Sequence, residues 1–125
     1  MTEQRLTFKD MCAKFDVTPR TLRYYEYIEL LQPTREGRAR FYSPREIARM
    51  TLILRGRRWG FSLEGIRQFL MLYEEQGTEA QLQTWVDSAE RQLKELERQR
   101  AELDEAIAEL TQNREETLRA LQSKR

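Results

Sequence analysis

Between residues 78 and 125 no Pro or Gly interrupts the chain, and apolar residues recur every seven positions. Leu82, Ala89, Leu96, Leu103 and Leu110 form one series, continued by Thr117. Val86, Leu93, Ile107 and Leu121 form the second, with Arg100 and Arg114 filling its remaining places. This spacing predicts one long α-helix carrying a heptad stripe, opened by Thr78 with Gln81 three residues on. At a rise of roughly 1.5 Å per residue, some 40 residues reach about 60 Å. An N-terminal domain of about 70 residues is too compact to bury a stripe of that length, so the helix needs a partner, and a second copy is the simplest one. Folding back as an intrachain hairpin is the alternative, but the stretch contains no turn signal. Arg100 and Arg114 weaken the seam and can select register or orientation.

The formal net charge of +1 conceals a division. Residues 1–72 hold 14 Lys/Arg against 8 Asp/Glu, a net of +6, whereas residues 73–125 hold 8 against 13, a net of −5. The basic half suits a polyanion and the acidic half does not. One cysteine and no histidine exclude an intrachain disulfide framework and the usual Cys/His zinc site. With no clustered carboxylates either, no acid–base or nucleophile constellation is found, so no enzyme and no cofactor is expected. No apolar run reaches membrane-spanning length and the opening residues do not resemble a signal peptide, which leads to the expectation of a cytoplasmic, nucleoid-associated protein without a membrane partner.

Four shorter helices precede the long one. Thr7 with Asp10 resembles a capping box for a helix to about Phe15. Thr18 as cap and Pro19 at the first position open a second, ending near Tyr27. Leu22 and Tyr25 share its buried face, leaving Arg20, Thr21, Arg23 and Tyr24 on a basic, aromatic-bearing face suited to the phosphate-lined major groove. A helix, a tight Asp16-Val17 turn and a second helix starting with exposed Arg has helix-turn-helix spacing. Gln32 to Tyr42 contains Pro33 and Gly37 and lacks a helical period; it reads as a β-hairpin wing with Gly37 near the tip. There Arg38, Arg40 and Tyr42 alternate and are expected on one exposed face, aimed at phosphate or the minor groove. Ser43-Pro44-Arg45-Glu46 opens a helix stopped between Gly56 and Gly60, and Ser62 caps the next, closed by Gly77. Arg58, Phe61 and Ser62 lie where backbone N–H groups of that helix start can hold a phosphate. The fold class is therefore mainly α: a winged helix-turn-helix DNA-binding domain at 1–76, then a coiled-coil dimerisation helix at 77–125.

In this order the parts resemble the MerR family of bacterial transcription regulators. The resemblance rests on Thr-Leu-Arg-Tyr-Tyr-Glu at 21–26, on Ile28 to Leu31, on Arg40-Phe41-Tyr42-Ser43 and on Gly60-Phe61-Ser62-Leu63-Glu64-Gly65-Ile66. It implies a homodimer held by an antiparallel coiled coil, bound to a palindromic operator in double-stranded promoter DNA between elements set too far apart. Distorting that spacer realigns them for RNA polymerase, which the protein affects indirectly; some members repress instead. Asp16 and Glu29 stand where the family favours Gly. Asp tolerates left-handed geometry, whereas Glu29 is expected to force a locally adjusted turn.

The family's metal- and redox-responsive members carry cysteines around the start and beyond the end of the long helix. Gln76 to Gln83 and Thr117 to Arg125 contain none, so this chain does not look like a sensor of that type, and its effector is unknown. Cys12, beside Met11 on a helix with Phe8 and Phe15, reads as a small buried hydrophobe. Tyr73, Met71 and Trp85, at a helix junction, read as core before they read as a ligand site. Two rivals differ in class: an excisionase-like DNA-architectural or recombination-accessory protein, which would be shorter and lack the long helix, and a coiled-coil adaptor, which would leave the basic half unexplained.

Overall fold

The computed structural model describes residues 4–125. The order of elements is β1 (Leu6–Thr7), α1 (Phe8–Phe15), α2 (Pro19–Tyr27), β2 (Thr34–Glu36), β3 (Ala39–Tyr42), α3 (Pro44–Arg58), α4 (Leu63–Glu75) and α5 (Glu79–Ser123). The chain divides into two compact units, one ending at Trp85 and the other formed by Val86–Arg125. No helix among the described residues is long and apolar enough to cross a membrane.

In the first unit every helix start follows from a hydroxyl that satisfies a backbone N–H otherwise left without a partner. Thr7 and Asp10 form a reciprocal capping box on α1. Thr18 Oγ1 accepts from Thr21 N at 3.1 Å on α2, with Pro19 in the first turn. Ser43 and Ser62 cap α3 and α4 in the same way, and Thr78 with Gln81 forms a box at the start of α5. The core lies where α1, α2, β3, α3 and α4 converge: Met11, Leu22, Leu30, Tyr42, Met50 and Ile53 are fully buried, with Tyr25, Leu31, Ile66 and Leu70 nearly so. Cys12 is partly buried against this core, and burial pushes its thiol above its ordinary range.

The sheet has three antiparallel strands in the order β1-β3-β2. The hairpin pairs Thr34 with Phe41, Arg35 with Arg40 and Glu36 with Ala39, and Gly37 at its tip takes φ 63° as expected. β1 was not foreseen. Its two residues pair Leu6 with Tyr42 and Thr7 with Phe41, a stretch too short to show an alternating pattern. Arg5, just before it, bridges to Glu36 at 2.7 Å and covers the Phe41 ring at 4.2 Å.

Three turns use left-handed backbone at residues other than Gly. Asp16 ends α1 at φ 52°, in line with its tolerance for that region. Glu29 adopts φ 64°, so the turn after α2 keeps glycine-like geometry despite the side chain. Gln76, not Gly77, takes the left-handed cap of α4 at φ 47°. Gly77 serves close approach instead, because a Cβ there would lie 2.3 Å from Leu72 Cδ2.

A carboxylate–arginine network fixes the turn after α2. The nearly buried Glu46 accepts from the Gln32 N–H at 3.0 Å. Arg49 Nε donates to the Leu30 carbonyl at 2.9 Å and Arg67 Nη2 to the Ile28 carbonyl at 2.6 Å. Arg49 and Arg45 also pair with Glu74 on α4. Burial pushes the Glu74 carboxyl up, but the hydrogen bonds and charges of these two arginines outweigh it and hold the group below its ordinary value.

The second unit is helix alone, and no residue of α5 is buried. Leu93, Leu103, Ile107 and Leu110 are between 57% and 69% exposed, so the seam seen in the sequence is uncovered within one chain. Arg98 pairs with both Glu95 and Glu102 along the exposed surface. The hydrogen bonds from Arg98 and Gln99 bring Glu95 down to about 2.

A Cβ added at the buried Gly56 of α3 would come 2.7 Å from Ile66 Cγ1 of α4. Gly56→Ala is therefore expected to destabilise the first unit by about 1–3 kcal/mol through overpacking, read as a fall in denaturation midpoint at constant slope. Glu29→Gly, which relieves left-handed strain at some entropic cost, is expected to stabilise by about 0.5–1 kcal/mol in the same measurement.

Candidate nucleic-acid interface

α2 has only nine residues to divide between core and solvent. Leu22 and Tyr25 take the core at 0% and 2% exposure. Arg20, Arg23 and Tyr24 are then turned outward, as the sequence indicated. Thr18 and Thr21 are engaged with one another: their hydroxyls lie 2.9 Å apart as donor and acceptor, completing the cap. Tyr27, at the end of the helix, is 84% exposed, the most exposed of the large apolar side chains.

Two concave surfaces flank this helix. One is lined by Arg20, Thr21, Arg23, Tyr24, Tyr27 and Arg57. The other is lined by Thr7, Phe8, Lys9, Arg23, Arg38 and Arg40. Both are rich in cations with carboxylates absent from their linings, which is the electrostatic requirement for holding phosphate. Sequence reasoning gave no contact role to Lys9, Tyr27 or Arg57. The place of Arg57 beside α2 comes from the packing of α3 and has no local signature. Lys9 could have been found as the exposed cation in the first turn of α1.

The wing differs from expectation at two of its three residues. Arg40 and Tyr42 do share a face, but that face points inward, toward α2. Tyr42 is fully buried and its hydroxyl donates to Glu26 Oε2 at 2.6 Å. Arg40 Nη1 donates to Glu26 Oε1 at 3.1 Å. Tyr42 is thus corrected from an exposed contact to a core residue, because β3 is the central strand, packed against α1 and α3, and the end of that strand is buried with them. Burial, and next the bond to Glu26, drive the Tyr42 phenol well above its ordinary value. Arg38, in the turn before β3, is exposed as expected.

Around the α3–α4 turn Arg58 and Ser62 are exposed and Phe61 is half-buried. Ser62 Oγ is used in capping, accepting from Gly65 N at 3.1 Å. Phe61 belongs to an aromatic cluster: its centroid lies 4.9 Å from Trp85 and 6.5 Å from Trp59, and Phe69 stacks on Trp85 at 4.9 Å. This cluster supports the loop from behind, so Arg58 and the start of α4 sit on a packed base. On α5, Leu82, Val86 and Leu121 are exposed like the rest of the seam, while Ala89 and Leu96 are intermediate.

Comparison with known proteins agrees with this geometry. A family model described as MerR HTH family regulatory protein matches residues 6–72, and one described as MerR, DNA binding matches residues 47–113. The chain is 38% identical over 97 residues to the HTH-type transcriptional regulator HmrR of Rhizobium leguminosarum bv. viciae, covering 76% of this chain and 67% of that protein. It spans between about half and two thirds of the length of the curated relatives it matches. In structure it is similar to a MerR family transcriptional regulator from Bacillus cereus, with TM-score 0.70, 23% identity and coverage of 84% and 76% of the two chains. It is also similar to HiNmlR, a MerR family regulator lacking the sensor domain, solved bound to promoter DNA, with TM-score 0.61, 23% identity and coverage of 83% and 79%.

The Tyr42–Glu26 bond has a measurable consequence. Tyr42→Phe leaves a nearly buried carboxylate one donor short and is expected to cost about 1.5–3 kcal/mol in denaturant unfolding. The phenol is raised in the folded state, so its contribution is complete below about pH 10 and is lost as pH rises beyond that. The variant should therefore lose less stability than the parent between about pH 9 and 11.

Proposed function

The chain belongs to the MerR family of helix-turn-helix transcriptional regulators, and on that premise we propose that it binds promoter DNA as a homodimer. The carrying observation is the face of α2, where Arg20, Arg23 and Tyr24 stand exposed over a buried Leu22 and Tyr25. In this reading α2 enters the major groove, with Arg20, Thr21, Arg23 and Tyr24 against base edges and phosphates and Thr18 holding the helix start. Arg38 of the wing, Arg57, and Arg58 with Ser62 at the start of α4 hold phosphates on either side. Residues up to 76 carry the DNA contacts and residues from 77 onward join two copies.

The second copy is assigned by the seam of α5. Laid antiparallel, the two series face each other throughout. Leu82 meets Leu121 of the other copy, Leu93 meets Leu110, and Leu96 meets Ile107. In the same register Arg114 falls opposite Ala89, the smallest seam residue, which gives its long side chain room. A two-fold dimer calls for an operator with two-fold symmetry. Because the half-sites are held at a fixed separation, the duplex between them must bend or twist to meet both, and binding energy offsets that deformation. RNA polymerase then responds to the altered spacing of promoter elements, without requiring contact with this protein. The exposed seam favours this regulator over an excisionase-like accessory protein, which has no use for it.

Selection of genomic fragments on the purified protein, followed by footprinting of the best one, tests the reading. Two-fold protection between promoter elements is the expected result; failure to select any duplex would overturn it. Arg23→Ala with Tyr24→Ala should weaken binding of the selected fragment by about 30-fold or more, roughly 2 kcal/mol, while leaving the dimer intact by sedimentation. Leu93→Cys with Leu110→Cys in one chain should yield a disulfide-linked dimer on oxidation if the helices run antiparallel. The single Leu93→Cys variant should then fail to cross-link through the seam, because only in a parallel pair does residue 93 meet its own copy.

A further inference from the structure

Glu26 lies in the last turn of α2 with its side chain 8% exposed. Both of its carboxylate oxygens are engaged by the wing: Oε1 accepts from Arg40 at 3.1 Å and Oε2 from the buried Tyr42 hydroxyl at 2.6 Å. The Arg40 side chain is 27% exposed and its guanidinium lies 5.4 Å from the centroid of Phe8. On the same ring, at 5.5 Å, sits the guanidinium of Arg23. Arg40 thus borders the concave basic surface that also holds Lys9, Arg23 and Arg38, yet its charge is matched from within. Among the described residues Arg20, Arg23 and Arg38 have no such ion pair.

Only Nη1 of Arg40 is taken by Glu26, but the buried carboxylate neutralises the guanidinium, so a phosphate meeting its other donors gains little net charge attraction, and drawing Arg40 away would leave a desolvated carboxylate one partner short. The same two bonds tie β3 to α2, so the offset between wing and helix is set by Glu26. We propose that Glu26 is a positioning residue of the DNA interface that withholds Arg40 from phosphate while pinning the wing to α2. The inference rests on the reading of α2 and the wing as that interface. It divides the wing's two central cations: Arg38 works on DNA and Arg40 works on the protein.

Salt dependence of binding to a random-sequence duplex of about 30 bp decides it, because the slope of log affinity against log salt counts the cations that replace counterions. A residue that merely stabilised the fold would lower the melting temperature without changing that count. Arg40→Ala should leave the slope at its wild-type value. Glu26→Gln, which keeps an acceptor for Tyr42 but frees Arg40, should steepen it by about 0.9 for each winged unit engaged. Combining Glu26→Gln with Arg40→Ala should restore the original slope. A slope flattened by about 0.9 in Arg40→Ala alone would overturn the proposal, and so would an unchanged slope in a folded Glu26→Gln. Arg40→Ala decides by itself if the other variant does not fold. A wild-type protein with no salt-dependent binding would instead overturn the DNA-interface reading and this inference with it.

Discussion

α2 can hide only two large side chains, and the architecture of the first unit follows from which two they are. Leu22 and Tyr25, three apart on a nine-residue helix, enter the core beside Met11, Met50 and Ile53. Their burial sets the rotation of the helix about its axis and leaves no choice in where Arg20, Arg23 and Tyr24 point. α1 and α3 supply the surfaces against which Leu22 and Tyr25 pack, and the turn at Glu29 returns the chain so that Leu30 and Leu31 close the same core. Rotating α2 by one residue would bring Arg23 and Glu26, or Thr21 and Tyr24, into the core in place of Leu22 and Tyr25, so the exposed basic face is determined together with the core.

The helix starts were legible because each is announced locally, by a hydroxyl that caps the backbone N–H three residues on. Thr7, Thr18, Ser43, Ser62 and Thr78 all serve as read. The helix ends were less so. Gln76 takes the left-handed cap although Gly77 stands next to it, since the approach of Leu72 requires the residue without a side chain one place later. Direction across the wing was legible as a parity but not as a sign: alternation puts Arg40 and Tyr42 together, and only their shared partner Glu26 says that they face inward. β1 and the role of Arg57 depend on contacts between residues distant in sequence, where no local pattern operates. The uncovered seam of α5, by contrast, was visible from its period alone.

Polar groups join the elements that apolar packing alone would leave free to slide. The buried Glu46 holds the backbone after α2 through Gln32, and Arg49 and Arg67 take the carbonyls of Leu30 and Ile28. These partners come from α3 and α4, so the position of α2 is registered against both. No buried side-chain polar atom lacks a hydrogen-bond partner among the described residues. Fully matched networks of this kind specify one arrangement, because each alternative leaves a desolvated group unpaired.

The aromatic cluster behind the α3–α4 turn has an optical side. The sequence contains two tryptophans, Trp59 and Trp85, and both belong to this one cluster, Trp59 against Phe61 and Phe69, Trp85 against the same two rings. Light absorbed near the red edge of the protein's ultraviolet band is therefore emitted from a single place, the loop that leads into α4. Emission maximum and quenching become a local gauge of that loop's solvation, free of signal from α2, the wing or the distal coil. The molecule thus carries its own optical label at the turn between α3 and α4.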